Sequence, residues 1–153
     1  MFNILLIIIN MVELIDNVPK LVIDCSPQSH ISSHFKVSEF LQTSKGERYL
    51  NENYKLFCFG HYKNAVRLSL VLEAVRRSLG DTPVVLNSGF RSPLLNARVG
   101  GAARSYHLTG CAADLAIAPT PFLRKYFDTL KEFNILSEVI YYTNFIHIAI
   151  RDL

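Results

Sequence analysis

The sequence predicts an α+β domain in which a small antiparallel sheet is flanked by two or three helices. Three observations predict it. A long apolar stripe of helical period runs from His61 to Leu79, and a second helix start is written at Thr120-Pro121. Between and after them lie short apolar runs of strand length, Cys111 to Ile117, Val139 to Tyr142 and Phe145 to Ile150. Short strands mixed with a few helices, around one core, define this class.

Taken in order, Leu21 to Asp24 (LVID) reads as a strand, and Val37 to Leu41 (VSEFL) as a short helix that Ser38 can cap. Gly46 and the polar stretch Asn51 to Asn53 read as loop. In the long helix, Ala65, Leu68, Leu72, Val75 and Leu79 recur at helical spacing, with Arg76 and Arg77 in the last turn and Gly80 just beyond. Pro83 to Leu86 then reads as a strand that ends in the turn Asn87-Ser88-Gly89. The segment Asn96 to Ser105 is small and Gly-rich, a loop whose backbone comes close to something. In Cys111 to Ile117, the side chains of Cys111, Ala113, Leu115 and Ile117 share one face and Asp114 lies on the other. Leu123, Phe127 and Leu130 form the stripe of the second helix.

A length of 153 residues and a mass of 17.4 kDa fit one domain with a real core. Half of the residues are apolar and 19% are charged, which excludes a disordered chain. The net charge is +3, and no basic run is longer than Arg76-Arg77, which argues against a dedicated nucleic-acid binder. Cys25, Cys58 and Cys111 are odd in number and widely spaced, which argues against a disulfide framework and an all-cysteine metal site. Phe2 to Ile9 is strongly apolar, but far shorter than the roughly 20 residues that span a bilayer. No basic residue precedes Lys20, so a short strand, a flap or a misassigned start is expected there, and no transmembrane span.

Polar residues in the late strands mark the chemistry. Ile146, Ile148 and Ile150 share the core face of the last strand, which turns His147 the other way. Asp114 sits in a strand, where an unpaired carboxylate is costly, so it needs a cation or donors beside it. His107 lies in a turn that feeds the strand of Asp114. Two imidazoles and a carboxylate, with a fourth position for water, make a common catalytic zinc site. The spacing equally suits a loop histidine, a salt-bridged aspartate and an exposed edge-strand histidine. His30, His34 and His61 read as surface or structural.

The stretch Ser105-Tyr-His-Leu-Thr-Gly-Cys-Ala-Ala-Asp114 fits S-x-H-x-x-G-x-A-x-D without a mismatch. It resembles the signature of the zinc D-alanyl-D-alanine peptidases, which include D,D-carboxypeptidases, vancomycin-resistance dipeptidases and phage endolysins. Ser88-Gly-Phe-Arg-Ser-Pro93 with Asn96 and Val99-Gly-Gly101, Ser33 to Phe40, and Phe145-Ile-His-Ile148 resemble further segments of the small carboxypeptidase-like branch, in the same order. The resemblance implies the hedgehog-type zinc peptidase fold over residues 33–153, with 1–32 as an N-terminal extension. It implies one zinc ion on His107, Asp114 and His147, with Arg91 and Ser105 binding substrate. Many relatives place a Glu three residues before the last zinc histidine; here that residue is Asn144, and Tyr142 replaces a second acid of the branch. Glu138 is the acid that remains, and is expected to be the catalytic base.

The main expectation is therefore a zinc metallopeptidase that cuts peptide bonds in peptidoglycan stem peptides or cross-links, acting on the cell wall as a monomer. The alternative is a non-catalytic module of the same fold that binds cell-wall peptides, motivated by Asn144 and Tyr142. A basic nucleic-acid accessory protein, resting on the +3 charge and on Arg98 and Arg104, would show salt-dependent DNA affinity instead.

Overall fold

The computed structural model describes residues 24–153 and, before them, the backbone of a hairpin whose strands β1 (Val12–Ile15) and β2 (Val18–Leu21) pair antiparallel. The apolar segment Phe2 to Ile9 lies outside the described residues; of the strand expected at Leu21 to Asp24, Leu21 ends β2, Asp24 is in no strand, and residues 22 and 23 lie outside the described residues. Five α-helices and a four-stranded antiparallel sheet follow, so the class is α+β as expected, with more helices than the sequence revealed. None of the described helices is long and apolar enough to cross a membrane.

Helix α1 (Val37–Leu41) buries Val37, Phe40 and Leu41. Its cap is Lys36, not Ser38: the Glu39 carboxylate accepts from Lys36 N at 2.8 Å, so a returning side chain satisfies the first free N–H. Helix α2 (Glu47–Leu56) runs through the stretch read as loop. The polar Asn51 to Asn53 looked loop-like because Asn53 is a buried connector. Its amide donates to Leu41 O at 2.9 Å and its carbonyl accepts from Ser92 N at 2.8 Å.

Helix α3 (Phe59–Ser78) starts two residues earlier than the apolar stripe, on Cys58, and buries Ala65, Leu68, Leu72 and Val75. Strand β3 is Leu86–Ser88, displaced from the expected Pro83 to Leu86 because its partner strand is short and reaches only this far. Helix α4 (Pro93–Arg98) takes the first three residues of the expected Gly-rich loop. Ser92 caps it, accepting from Leu95 N at 3.2 Å, and Pro93 fills the first turn. The loop proper starts at Val99, and its close approach is real: a Cβ on Gly101 would lie 2.1 Å from Asn96 Oδ1. Helix α5 (Pro121–Glu132) begins where expected, with Thr120 accepting from Leu123 N at 3.2 Å and Leu123 and Phe127 buried.

The sheet order is β3-β4-β6-β5, with β4 at Ala112–Leu115, β5 at Glu138–Tyr141 and β6 at Ile146–Ala149. Its inner face carries Leu86, Ala113, Leu115, Ile146 and Ile148 into a core shared with Phe40, Leu68, Leu72 and Phe127. Each of these leucine, isoleucine and phenylalanine side chains contributes about 1.5–3 kcal/mol when fully buried. On the other face one cross-strand row spans the whole sheet. Ser88 pairs with Asp114, Asp114 with His147, and His147 with Ile140, so a single rung crosses all four strands. Side chains alternate along a strand, so the pattern that buries the isoleucines lifts Asp114 and His147 onto this face together.

Candidate metal centre

His107 reaches the same place from a short 3-10 turn, Tyr106–Thr109. Ser105 caps that turn, its hydroxyl accepting from His107 N at 3.3 Å. Two bonds strap the turn to the segment after β3. The His107 ring donates through Nδ1 to Gly89 O, and Arg91 N donates to His107 O at 3.0 Å. Gly89 has no room for a side chain, since an added Cβ would sit 2.6 Å from Phe40 O. The glycine thus lets the backbone that orients His107 pack directly on α1.

His107, Asp114 and His147 are all buried, and one donor atom from each lies within 4.8 Å of the others. Asp114 Oδ1 is 3.2 Å from His107 Nε2 and 2.7 Å from His147 Nδ1, and the two ring nitrogens are 3.2 Å apart. Tetrahedral zinc with bonds of about 2.0–2.1 Å needs donors roughly 3.3–3.4 Å apart, so this triangle is close to that size. The donor set of two imidazoles and one carboxylate suits zinc better than calcium or magnesium, which take oxygen ligands. The outer side of each group is also fixed, as metal ligands require. His107 uses Nδ1 on Gly89, which leaves the Nε2 lone pair facing inward. His147 places Nε2 3.0 Å from Glu138 Oε1, which leaves Nδ1 facing inward. Asp114 commits its second oxygen to Arg91 Nη2, which leaves a single oxygen for a metal.

The electrostatics agree with this assignment. Burial pushes the His107 imidazole below its ordinary value, against the pull of Asp114, which favours the neutral ligand form. Burial would raise the Asp114 carboxyl, but hydrogen bonds from His107 and His147 and the charges of His107 and Arg91 outweigh it. They hold Asp114 well below the usual carboxylate range.

The residues singled out in the sequence thus meet, with roles the spacing alone did not show. Arg91 donates through Nε to Ser88 Oγ at 2.8 Å and through Nη2 to Asp114, so its guanidinium braces the carboxylate from behind. Ser105 caps the turn and lines the cleft mouth. Glu138 lies diagonally across the β5–β6 pairing from His147, with one oxygen on the imidazole. Asn144 is exposed in the β5–β6 turn, while Tyr142 stacks on Phe145 at 4.1 Å between ring centroids, and both rings line the mouth.

Two cavities meet at the centre. One of about 360 Å³ opens over the three donors and is walled by Gly100, Arg104, Ile140 and Tyr142 among others. A smaller one of about 160 Å³ lies across Arg91, towards Lys45 and Asn87. They share Arg91, Val99, Asp114 and Phe145. Lys45 and Asn87 were not marked by the sequence reading. Lys45 stands in the α1–α2 connection with no motif around it, and Asn87 in β3 reads only as the start of the turn before the Ser88 motif.

Three inward-facing donors at the base of a cleft, each braced from outside, define a single-metal centre on an α+β frame, of a kind that fits zinc. The family described as peptidase M15 matches residues 33–149, and the chain belongs to this family. A stretch of 59 residues, 39% of the chain, is 44% identical to the zinc D-Ala-D-Ala carboxypeptidase of Streptomyces albus G. That stretch spans 23% of the length of the relative.

Proposed function

We propose that this protein is a zinc-dependent peptidase that hydrolyses peptide bonds in peptidoglycan stem peptides or cross-links, with residues 33–153 as the peptidase domain and the cell wall as its place of action. The observation that carries the reading is the convergence of His107 Nε2, Asp114 Oδ1 and His147 Nδ1, each with its outer side already hydrogen-bonded. The family match and the resemblance to a D-Ala-D-Ala carboxypeptidase support the reaction class.

His107, Asp114 and His147 would hold one zinc ion. When bound, zinc supplies Lewis acidity towards a carbonyl oxygen and acidifies water, which is what hydrolysis of an unactivated amide needs. The chain's own residues do the rest. Arg91 holds Asp114 Oδ2 and keeps the carboxylate ionised, so that Oδ1 would be the oxygen left for the ion. Glu138 holds His147 through Oε1, and its other oxygen serves as the acceptor that takes a proton from water and returns it to the leaving amine. Ser105 and the rim of Tyr142 and Phe145 would flank the peptide.

The alternative is a module that binds cell-wall peptides without turnover. It is favoured by one observation: the two carboxylates that line the cleft, Asp114 and Glu138, are both already engaged by the ligand set. The test is zinc content by elemental analysis, with release of alanine from N-acyl-D-Ala-D-Ala and of peptide from purified peptidoglycan, with and without a chelator. One zinc per chain with chelator-sensitive cleavage supports the peptidase. One zinc and peptide binding without cleavage supports the module, and no zinc removes both readings of the centre.

A further inference from the structure

Two glycines close α4, for two different reasons. Gly100 takes a positive φ of 68° just past the helix, with its N–H on Ala97 O at 3.2 Å, while Gly101 N donates to Asn96 O at 2.9 Å. That pair of bonds is a Schellman ending, which puts Gly100 at the left-handed position and Gly101 one residue further on. Gly101 has no such backbone need. Its missing side chain makes room for Asn96: an added Cβ would fall on the amide oxygen and lie 2.7 Å from Cγ.

The Asn96 amide passes beneath Gly101 to the next segment. Its Nδ2 donates to Ala102 O at 3.0 Å, and the same carbonyl accepts from Ser105 N at 3.1 Å. Asn96 is only 5% exposed, and among the described residues its Oδ1 has no hydrogen-bond partner. A buried, unmatched oxygen is costly, so what the fold gains from this amide comes through its N–H. The base it stands on is firm. Ser92 caps α4 and its N–H is tied to Asn53, while Leu95 is buried. Ala102, Ala103 and Arg104, by contrast, are exposed and belong to no helix or strand. Apart from the bond of Ser105 within the turn itself, the Asn96 amide makes the one hydrogen bond that ties residues 102–104 to the body, among the described residues.

Val99 to Ala102 and Arg104 to Tyr106 give the larger cavity one part of its lining, and β5 with the turn after it gives another. The place of the first segment therefore sets the width of the cleft. The metal ligand beside it is held separately: the His107 ring bonds to Gly89 O and its carbonyl to Arg91 N, and neither bond involves Asn96. We propose that Asn96 is a positioning residue of the cleft. Through Ala102 O it holds residues 102–105 at the spacing a peptide chain needs, and it acts on peptide binding, not on the metal. Gly101 is the residue that lets the amide through. This rests on the peptidase reading and deepens it, since it names what shapes the substrate's place in that same site.

The experiment takes the zinc-loaded full chain with Asn96→Ala, Asn96→Asp, Gly101→Ala, and Asn96→Ala combined with Gly101→Ala. Cleavage of N-acyl-D-Ala-D-Ala is followed as kcat and KM, zinc affinity by calorimetry, and the Ser105 amide by hydrogen exchange. Asn96→Ala is expected to raise KM about three- to tenfold, the worth of one hydrogen bond, with kcat and zinc affinity within about twofold of the parent. Asn96→Asp keeps the shape but loses the donor, and is expected to raise KM at least as much. Gly101→Ala displaces the amide and is expected to raise KM alike, yet to add nothing once Asn96 is alanine. Exchange at Ser105 is expected to quicken about tenfold in all four variants. The proposal is overturned by an unchanged KM in Asn96→Ala or Asn96→Asp, by effects of the two alanine substitutions that simply add, or by a zinc affinity that falls in step with KM. If the zinc-loaded parent does not cleave the peptide, the peptidase reading fails. The positioning role is then decided by Ser105 exchange and by the dissociation constant of the same peptide, and an Asn96→Ala variant that matches the parent in either overturns it.

Discussion

Asp114 and His147 face each other across the β4–β6 pairing, with Oδ1 2.7 Å from Nδ1, and that same oxygen lies 3.2 Å from His107 Nε2. One carboxylate oxygen thus organises both imidazoles, while Arg91 holds the other. Asp114→Asn keeps the shape but removes the charge, leaving a mostly buried guanidinium without its partner. Breaking a buried pair in this way is expected to cost about 3 kcal/mol or more in the metal-free protein. Zinc affinity is expected to fall by at least about 100-fold, the upper range for merely outer partners. Urea unfolding in chelator and zinc calorimetry measure the two losses; a variant that matches the parent in both would remove Asp114 from the centre.

Glu138 has two proposed duties that substitution can separate. In Glu138→Gln the amide oxygen can still accept from His147 Nε2, but it cannot take a proton. That variant is expected to bind zinc within about threefold of the parent while losing about 10²–10⁴-fold in turnover. Glu138→Ala also releases the imidazole, and about 10–100-fold in zinc affinity is expected to go with it. Equal zinc binding in the two variants would argue that His147 needs no support from this side. Full turnover in the glutamine variant would place the proton transfer elsewhere.

Gly89 carries His107 on its carbonyl and packs its Cα against the Phe40 backbone. A methyl there meets main-chain atoms at 2.6 and 2.8 Å, which cannot rotate away. Gly89→Ala is expected to destabilise by about 1–3 kcal/mol, as overpacking does, and to weaken zinc binding through the displaced imidazole. Thermal unfolding with and without zinc reads both effects, and an unshifted melting temperature would show that α1 can move aside at little cost.

Away from the cleft, Glu73 on α3 clamps the loop before α1. It accepts from Ser32 Oγ at 2.7 Å and from His34 N and Nδ1 at 2.8 Å each. Burial alone would raise its carboxyl, but these bonds outweigh it and hold the value below the ordinary 4.5. A carboxyl depressed in the folded state binds protons more readily when unfolded. Its contribution is therefore present above about pH 4.5 and lost as pH falls through the depressed value. Glu73→Gln is expected to be less stable than the parent near neutrality and to converge on it as pH falls through the depressed value, below the ordinary 4.5. Denaturant midpoints across that range test the sign: a gap that stays constant would mean that shape, and not charge, holds the loop.

Much of this was legible in the order of residues. Alternation put Asp114 opposite Leu115 and His147 between isoleucines, and strand period alone places both off the core face. The Thr120 cap with Pro121 marked α5, and apolar spacing marked α3. Local rules gave out where a polar residue works inside the protein. Asn53 made α2 look like loop, yet it is buried and bonded to three backbone groups, on Leu41, Phe90 and Ser92. The expected helix cap at Ser38 yielded to Glu39 for a similar reason, since a side chain three residues on reached the free N–H first.

The sequence by itself determined the strands that bear Asp114 and His147 and the face each side chain takes, because both follow from the two-residue strand period, and it placed His107 in a turn. The tertiary structure decided what each group touches. Strand register set Ser88, Asp114, His147 and Ile140 in one rung, and only that pairing brings Glu138 to the outer nitrogen of His147. Arg91 turned out to brace Asp114, and Lys45 came to line the cavity beyond it, through contacts between segments 23 and more residues apart. Such long-range pairings depend on how the whole core closes, and no local period encodes them.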